Sequence, residues 1–124
     1  MTTVIDANPN ETWTGLAEKP DALLVDVRTN AEWSFVGIPD LSPLNKQAAL
    51  IEWKQFPTMA QNEEFASQVM DVLNGAPPSD VYFLCRSGVR SLAAAAMMID
   101  VFAAQGWSVN CINVTEGFEG DLDQ

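Results

Sequence analysis

The sequence predicts an α/β fold, a parallel sheet with helices on both faces, from three observations. Short continuous apolar runs recur along the chain, helix-capping patterns fall between them, and Gly, Pro and Asn residues punctuate the changes. A run that is apolar at every position is a strand buried on both sides, and parallel strands need crossovers to join them.

Asn8, Pro9 and Glu11 read as an N-cap, a first-turn proline and the acid of a capping box, opening a helix with Trp13, Leu16 and Ala17 on one side, which Pro20 ends. Ala22 to Val27 is a buried strand. Thr29, with Glu32 three residues on, caps a brief helix over Asn30 to Phe35 before Gly37 and Pro39 break it. Ala48 to Trp53 reads as another buried strand. A cap at Asn62 then leads through Glu63 and Glu64 into a helix with Phe65, Val69, Val72 and Leu73 on one face, closed by Gly75. Pro77 and Pro78 reset the chain for the strand Val81 to Leu84. The alanine-rich run Val89 to Gln105 is strongly helical, with Leu92, Ala96, Ile99 and Phe102 or Ala103 toward the core and the Met97-Met98 pair read as core, and Val109 to Val114 is the last strand.

Composition narrows the chemistry. The 124 residues suit one domain. The absence of histidine removes imidazole general bases, Ser-His-Asp and Cys-His catalysis and imidazole zinc sites. Two cysteines cannot form a multi-thiolate cluster, so no metal is expected. The net charge of −11 would be repelled by phosphate backbones and anionic lipid, so neither nucleic acid nor a membrane is an expected partner. The start carries no basic or apolar targeting pattern and no apolar run is long enough to span a bilayer, which makes the cytoplasm the expected location.

In an open parallel sheet ligands sit at the carboxyl ends of the strands, which points to Cys85 to Ser91, CRSGVRS, between a buried strand and the alanine-rich helix. A tight turn there, using Gly88, can gather backbone N–H groups into an anion cradle that merges with the helix N-terminus. Such a cradle stabilises a thiolate at Cys85 and makes it nucleophilic. Arg86 and Arg90 bring two of the six basic residues to this loop, although arginines at a helix start oppose its dipole.

These residues resemble the active-site loop of single-domain rhodaneses, which are sulfurtransferases. DVRTNAEW, Asp26 to Trp33, resembles the family's upstream signature, and the likeness runs from about Ala22 to Gly117. It implies a rhodanese-like domain with a central five-stranded parallel sheet, no organic cofactor, and Cys85 as the sulfur-accepting nucleophile. It further implies that the loop Arg86, Ser87, Gly88, Val89, Arg90 and Ser91 binds substrate, its backbone holding the persulfide and its arginines the anionic donor, while Asp26 and Arg28 support the fold around it. Related phosphatases place an arginine after five intervening residues, a wider loop fitted to phosphate; here Arg90 follows after four. The family's Gly-His-Ile-Pro stands here as Val36-Gly37-Ile38-Pro39 without the histidine, and its closing signature appears only as Gly117-Phe118, so the last helix is missing or the chain ends early.

The expected reaction moves sulfur from a small anionic donor such as thiosulfate to a thiol or cyanide acceptor, or to an acceptor protein. A partner-serving carrier or inert module and a cysteine-dependent phosphatase are the alternatives. The reading requires the Cys85 sulfur to face the loop amides and to be reachable by a donor. Cys111, mid-strand, reads as packing; a resolving thiol would need non-neighbouring strands not to separate it from Cys85. Trp33, Phe35, Trp53 and Phe56 read as core or rim.

Overall fold

The computed structural model describes residues 3–55, 57–86 and 88–115. The elements in chain order are β1 (Ile5–Ala7), α1 (Pro9–Glu18), β2 (Leu23–Asp26), α2 (Asn30–Val36), β3 (Ala49–Leu50), β4 (Lys54–Gln55), β5 (Ala60–Gln61), α3 (Phe65–Leu73), β6 (Asp80–Leu84), α4 (Val89–Ala104) and β7 (Asn110–Val114). Five strands pair in parallel in the order β1-β7-β6-β2-β3, and β4 and β5 form a separate antiparallel pair.

Alternation of side chains along the strands divides the core in two. Val81, Phe83, Cys85 and Cys111 face α3 and α4 and pack with Phe65, Val69, Met98 and Phe102. Leu24, Tyr82, Leu84, Ile112 and Val114 face the other way, onto Leu16 of α1 and Leu41. The helices therefore cover both faces. Helix α2 buries none of its residues and lies outside this layering. Among the described residues no helix is long and apolar enough to cross a membrane.

Both capping boxes form: Asn8 with Glu11, and Thr29 with Glu32. Four expectations change. The strand expected over Ala48 to Trp53 is an edge strand of two residues, Ala49–Leu50, with Leu50 exposed, because it pairs with β2 on one side only. The chain still donates from Ile51 and Trp53 to Asp26 and Val27 before turning into the β4–β5 hairpin. Asn62 makes an Asx turn rather than a cap: its side-chain oxygen accepts from Glu64 N and its carbonyl from Phe65 N, so α3 begins at Phe65, and Val72 is exposed. In α4 the buried face is Ser91, Ala94, Ala95, Met98 and Phe102; Leu92, Ala96 and Met97 point outward. The helix is rotated because Ser91, its polar residue at the start of that face, is turned inward toward Cys85. Finally, β1 adds a strand where only Val4 and Ile5 gave an apolar signal.

Candidate functional site

The sheet has a topological switch between β2 and β6, which are adjacent, because the connection leaving β2 leads to β3 on one side and that leaving β6 leads to β7 on the other. Diverging connections leave a crevice at the carboxyl ends of these strands. Asp26 and Arg28 stand at one lip and Cys85 at the other.

The loop after Cys85 turns sharply at Gly88, whose φ of 98° is left-handed and whose place is the N-cap of α4. This turn aims backbone donors at the sulfur: Gly88 N–H donates to Cys85 Sγ at 3.0 Å and Ser91 N–H at 3.4 Å. The Ser91 hydroxyl lies 3.3 Å from the same sulfur. Arg86 is exposed, Val89 is 73% exposed, and Ser87 lies outside the described residues, as do Phe56, the Gly117-Phe118 signature and the tail.

The sulfur thus meets the first requirement of the sequence reading, facing its amides. It does not meet the second in this resting form, because Cys85 has no exposed surface.

Arg90 is occupied as well. Its two terminal nitrogens donate to the two carboxylate oxygens of Glu32 at 2.7 and 2.9 Å, a bidentate pair that spans the crevice from α4 to α2. Glu32 Oε1 also accepts from Thr29 N–H and Oγ1, so one carboxylate caps α2 and holds the loop arginine. The pair raises the Arg90 pKa and holds Glu32 down at about 2 against an ordinary 4.5, hydrogen bonding to Arg90 being the main cause and Thr29 adding to it. A carboxyl group depressed in this way stabilises the fold fully above its unfolded pKa and loses that contribution as pH falls. The expected outcome is a wild-type unfolding midpoint that drops as pH falls from 4.5 toward 2, with a shallower drop for Glu32→Gln. Urea unfolding followed by tryptophan fluorescence across this window checks it; parallel curves for the two proteins would count against the pair.

Asp26 and Arg28 form a second, fully buried pair, with Arg28 Nη2 to Asp26 Oδ2 at 2.6 Å and Nε to Oδ1 at 2.9 Å. Nη2 also donates to the Gly37 carbonyl at 2.7 Å, which ties the end of α2 to the end of β2. These bonds join the end of β2 to the end of α2 at one lip of the crevice.

Cys111 is a buried free thiol that burial pushes up to about 12. It lies on β7, next to β6, so strand order does not separate it from Cys85. Register separates the thiols instead: Cys111 pairs with Val81, four residues before Cys85, or about 13 Å along the strand. A disulfide needs Cα atoms within about 7 Å. Trp53 packs edge-on against Phe65, whereas Trp33 lines a cleft with Asn30, Glu52 and Gln68 and Phe35 is 90% exposed.

The sequence reading took Glu32 as a cap and as part of the DVRTNAEW motif, and passed over Asn113. The signal for Asn113 was a second polar residue, after Asn110, in a strand whose other residues are apolar; it accepts from the Ser91 hydroxyl through Oδ1.

Among known proteins, the family described as Rhodanese-like domain matches residues 8–123. An uncharacterised protein of Rickettsia rickettsii is 38% identical over 106 residues, covering 86% of this chain and 76% of its own. One from Rickettsia prowazekii is 38% identical over 101 residues, covering 82% and 72%. The crystal structure of Rv0390 from M. tuberculosis superposes with a TM-score of 0.77 at 39% identity, over 98% of this chain and 85% of that one. A rhodanese-like domain protein from Staphylococcus aureus shares the fold, with a TM-score of 0.53 at 24% identity over 94% and 89%. With a cysteine cradled by amides at the switch point and a family match over nearly its whole length, this chain belongs to the rhodanese-like domain family.

Proposed function

We propose that the protein is a sulfurtransferase that carries sulfane sulfur as a persulfide on Cys85, taking it from a small anionic donor such as thiosulfate and passing it to a thiophilic acceptor. The observation that carries this reading is the set of backbone amides directed at Cys85 Sγ, which stabilise negative charge on sulfur at no cost of reorganisation. In the forward half-reaction the thiolate attacks the outer sulfur of thiosulfate. A new S–S bond forms, the S–S bond of the donor breaks, and sulfite leaves with the bonding electrons. The acceptor then attacks the outer sulfur and Cys85 departs as thiolate, which is two-step covalent catalysis.

The family supports a sulfurtransferase-type or related module. A phosphatase is disfavoured by the short loop and by Glu32, the carboxylate brought to that loop. Ionised by Arg90, it holds no proton for a leaving group. The complete cover over Cys85 favours one second reading, a carrier that exchanges sulfur only when a protein partner opens the loop.

Mass spectrometry separates these. Protein incubated with thiosulfate is expected to gain one sulfur atom on Cys85, which cyanide removes. Loading by thiosulfate alone supports the enzyme; loading only by a persulfidated protein supports the carrier; a Cys85 that takes sulfur from neither ends both.

A further inference from the structure

Behind Ser91, on the side away from the loop, the hydrogen bonds continue to the surface. Ser91 Oγ donates to Asn113 Oδ1 at 2.5 Å, and Asn113 Nδ2 donates to Asp6 Oδ1 at 3.3 Å. The direction of this chain is fixed by chemistry. An ionised carboxylate only accepts, so the Asn113 amide nitrogen faces Asp6 and its carbonyl faces Ser91. A carbonyl only accepts, so the single Ser91 hydroxyl hydrogen goes to Asn113. What Ser91 presents to Cys85 is therefore a lone pair.

We infer that Asn113 is a positioning residue for Cys85: by holding the Ser91 hydroxyl hydrogen away from the sulfur, it makes Ser91 the acceptor of the Cys85 thiol hydrogen rather than a donor to its thiolate. In the resting state the described groups are matched. The sulfur accepts from the Gly88 and Ser91 amides and gives its S–H to Ser91 Oγ, which gives its O–H to Asn113. When Cys85 ionises, its proton passes to bulk solvent and the thiolate keeps the Gly88 and Ser91 amide donors but faces the serine lone pair. The arrangement favours the covered thiol, and it holds the Ser91 hydroxyl as a further donor in reserve one bond rotation away. Asn113 is 5% exposed and Ser91 is buried.

The remaining charges around Cys85 are common to every variant below. Among the described residues they are Arg90 of α4 with its Glu32 of α2, the adjacent Arg86, the Asp26–Arg28 pair after β2, and Asp6 of β1 beyond Asn113; Cys111 shares the face, and burial pushes it up to about 12. The inference concerns the same cysteine as the proposed sulfurtransferase, but its test reads the thiol itself, so it stands or falls whatever the sulfur donor is.

The experiment is the pH profile of Cys85 alkylation by iodoacetamide, with Cys111→Ala as the common background. Releasing the hydroxyl with Asn113→Ala is expected to lower the midpoint by about half to one pH unit, the worth of one hydrogen bond to sulfur. Asn113→Asp, which keeps an acceptor for Ser91, is expected not to lower it. The deciding result is a change of sign: Ser91→Ala lowers the midpoint when Asn113 is present, by removing the acceptor of the thiol hydrogen, and raises it in the Asn113→Ala protein, by removing a donor. A merely structural Asn113 would move both backgrounds alike. A rise on Ser91→Ala with Asn113 intact overturns the inference by itself, even if Asn113→Ala fails to fold.

Discussion

Arg28→Ala is expected to lower the unfolding free energy by about 3–5 kcal/mol, the usual cost of leaving one member of a buried ion pair alone. Arg28 is 1% exposed and Asp26 is 0% exposed, and the pair shares hydrogen bonds through both Nε and Nη2. Without the guanidinium, the carboxylate keeps the Arg28 backbone N–H at 3.1 Å and loses the cation paired directly with it. The Gly37 carbonyl loses its donor at the same time, so α2 loosens and with it Glu32, which holds Arg90. Total stability of a domain of this size is about 5–15 kcal/mol, so the variant is expected to be marginal in urea. Replacing both partners, as in Asp26→Leu with Arg28→Met, is expected to recover most of the loss, because the cost lies in the unpaired charge. Urea titrations of the two proteins measure this directly. A loss below about 1 kcal/mol for Arg28→Ala would place the pair with solvent-screened surface bridges.

What the sequence made legible was local or strongly patterned. Asn8 with Glu11 and Thr29 with Glu32 announce their helices because a capping box is closed within four residues. Strand β6 is apolar at Val81 to Leu84 because it lies at the middle of the sheet, and the loop that follows is read from Cys85 to Ser91 without interruption. What was not legible depends on the rest of the fold. Strand β1 is an edge whose first two residues are exposed, so it carries no buried pattern. The inward face of α4 begins on Ser91, and hydropathy alone assigns that face to Leu92. The second task of Glu32 joins residues 58 apart in sequence, and the task of Asn113 joins residues 22 apart. Neither is visible until the crevice between β2 and β6 exists.

Cys85→Ser is expected to lower kcat/KM for sulfur transfer from thiosulfate to cyanide by at least about a thousandfold while leaving the fold almost unchanged. The two halves of this expectation have different causes. A hydroxyl occupies nearly the space of the thiol and accepts from the Gly88 and Ser91 amides in its place, so the change in unfolding free energy should stay within about 1 kcal/mol. Its oxygen, however, is not ionised at neutral pH and cannot end as a persulfide, so the covalent step has no intermediate to pass through. Cys111→Ser is the matching control: this thiol is pushed up to about 12 by burial and stands opposite Val81 rather than at the strand end, so its loss should leave transfer intact. Steady-state assays with both substrates varied should give parallel double-reciprocal lines for the wild type and for Cys111→Ser. If Cys85→Ser still turns over thiosulfate at a comparable rate, the sulfur travels by some route other than this cysteine, and the amides around it serve only to close the turn.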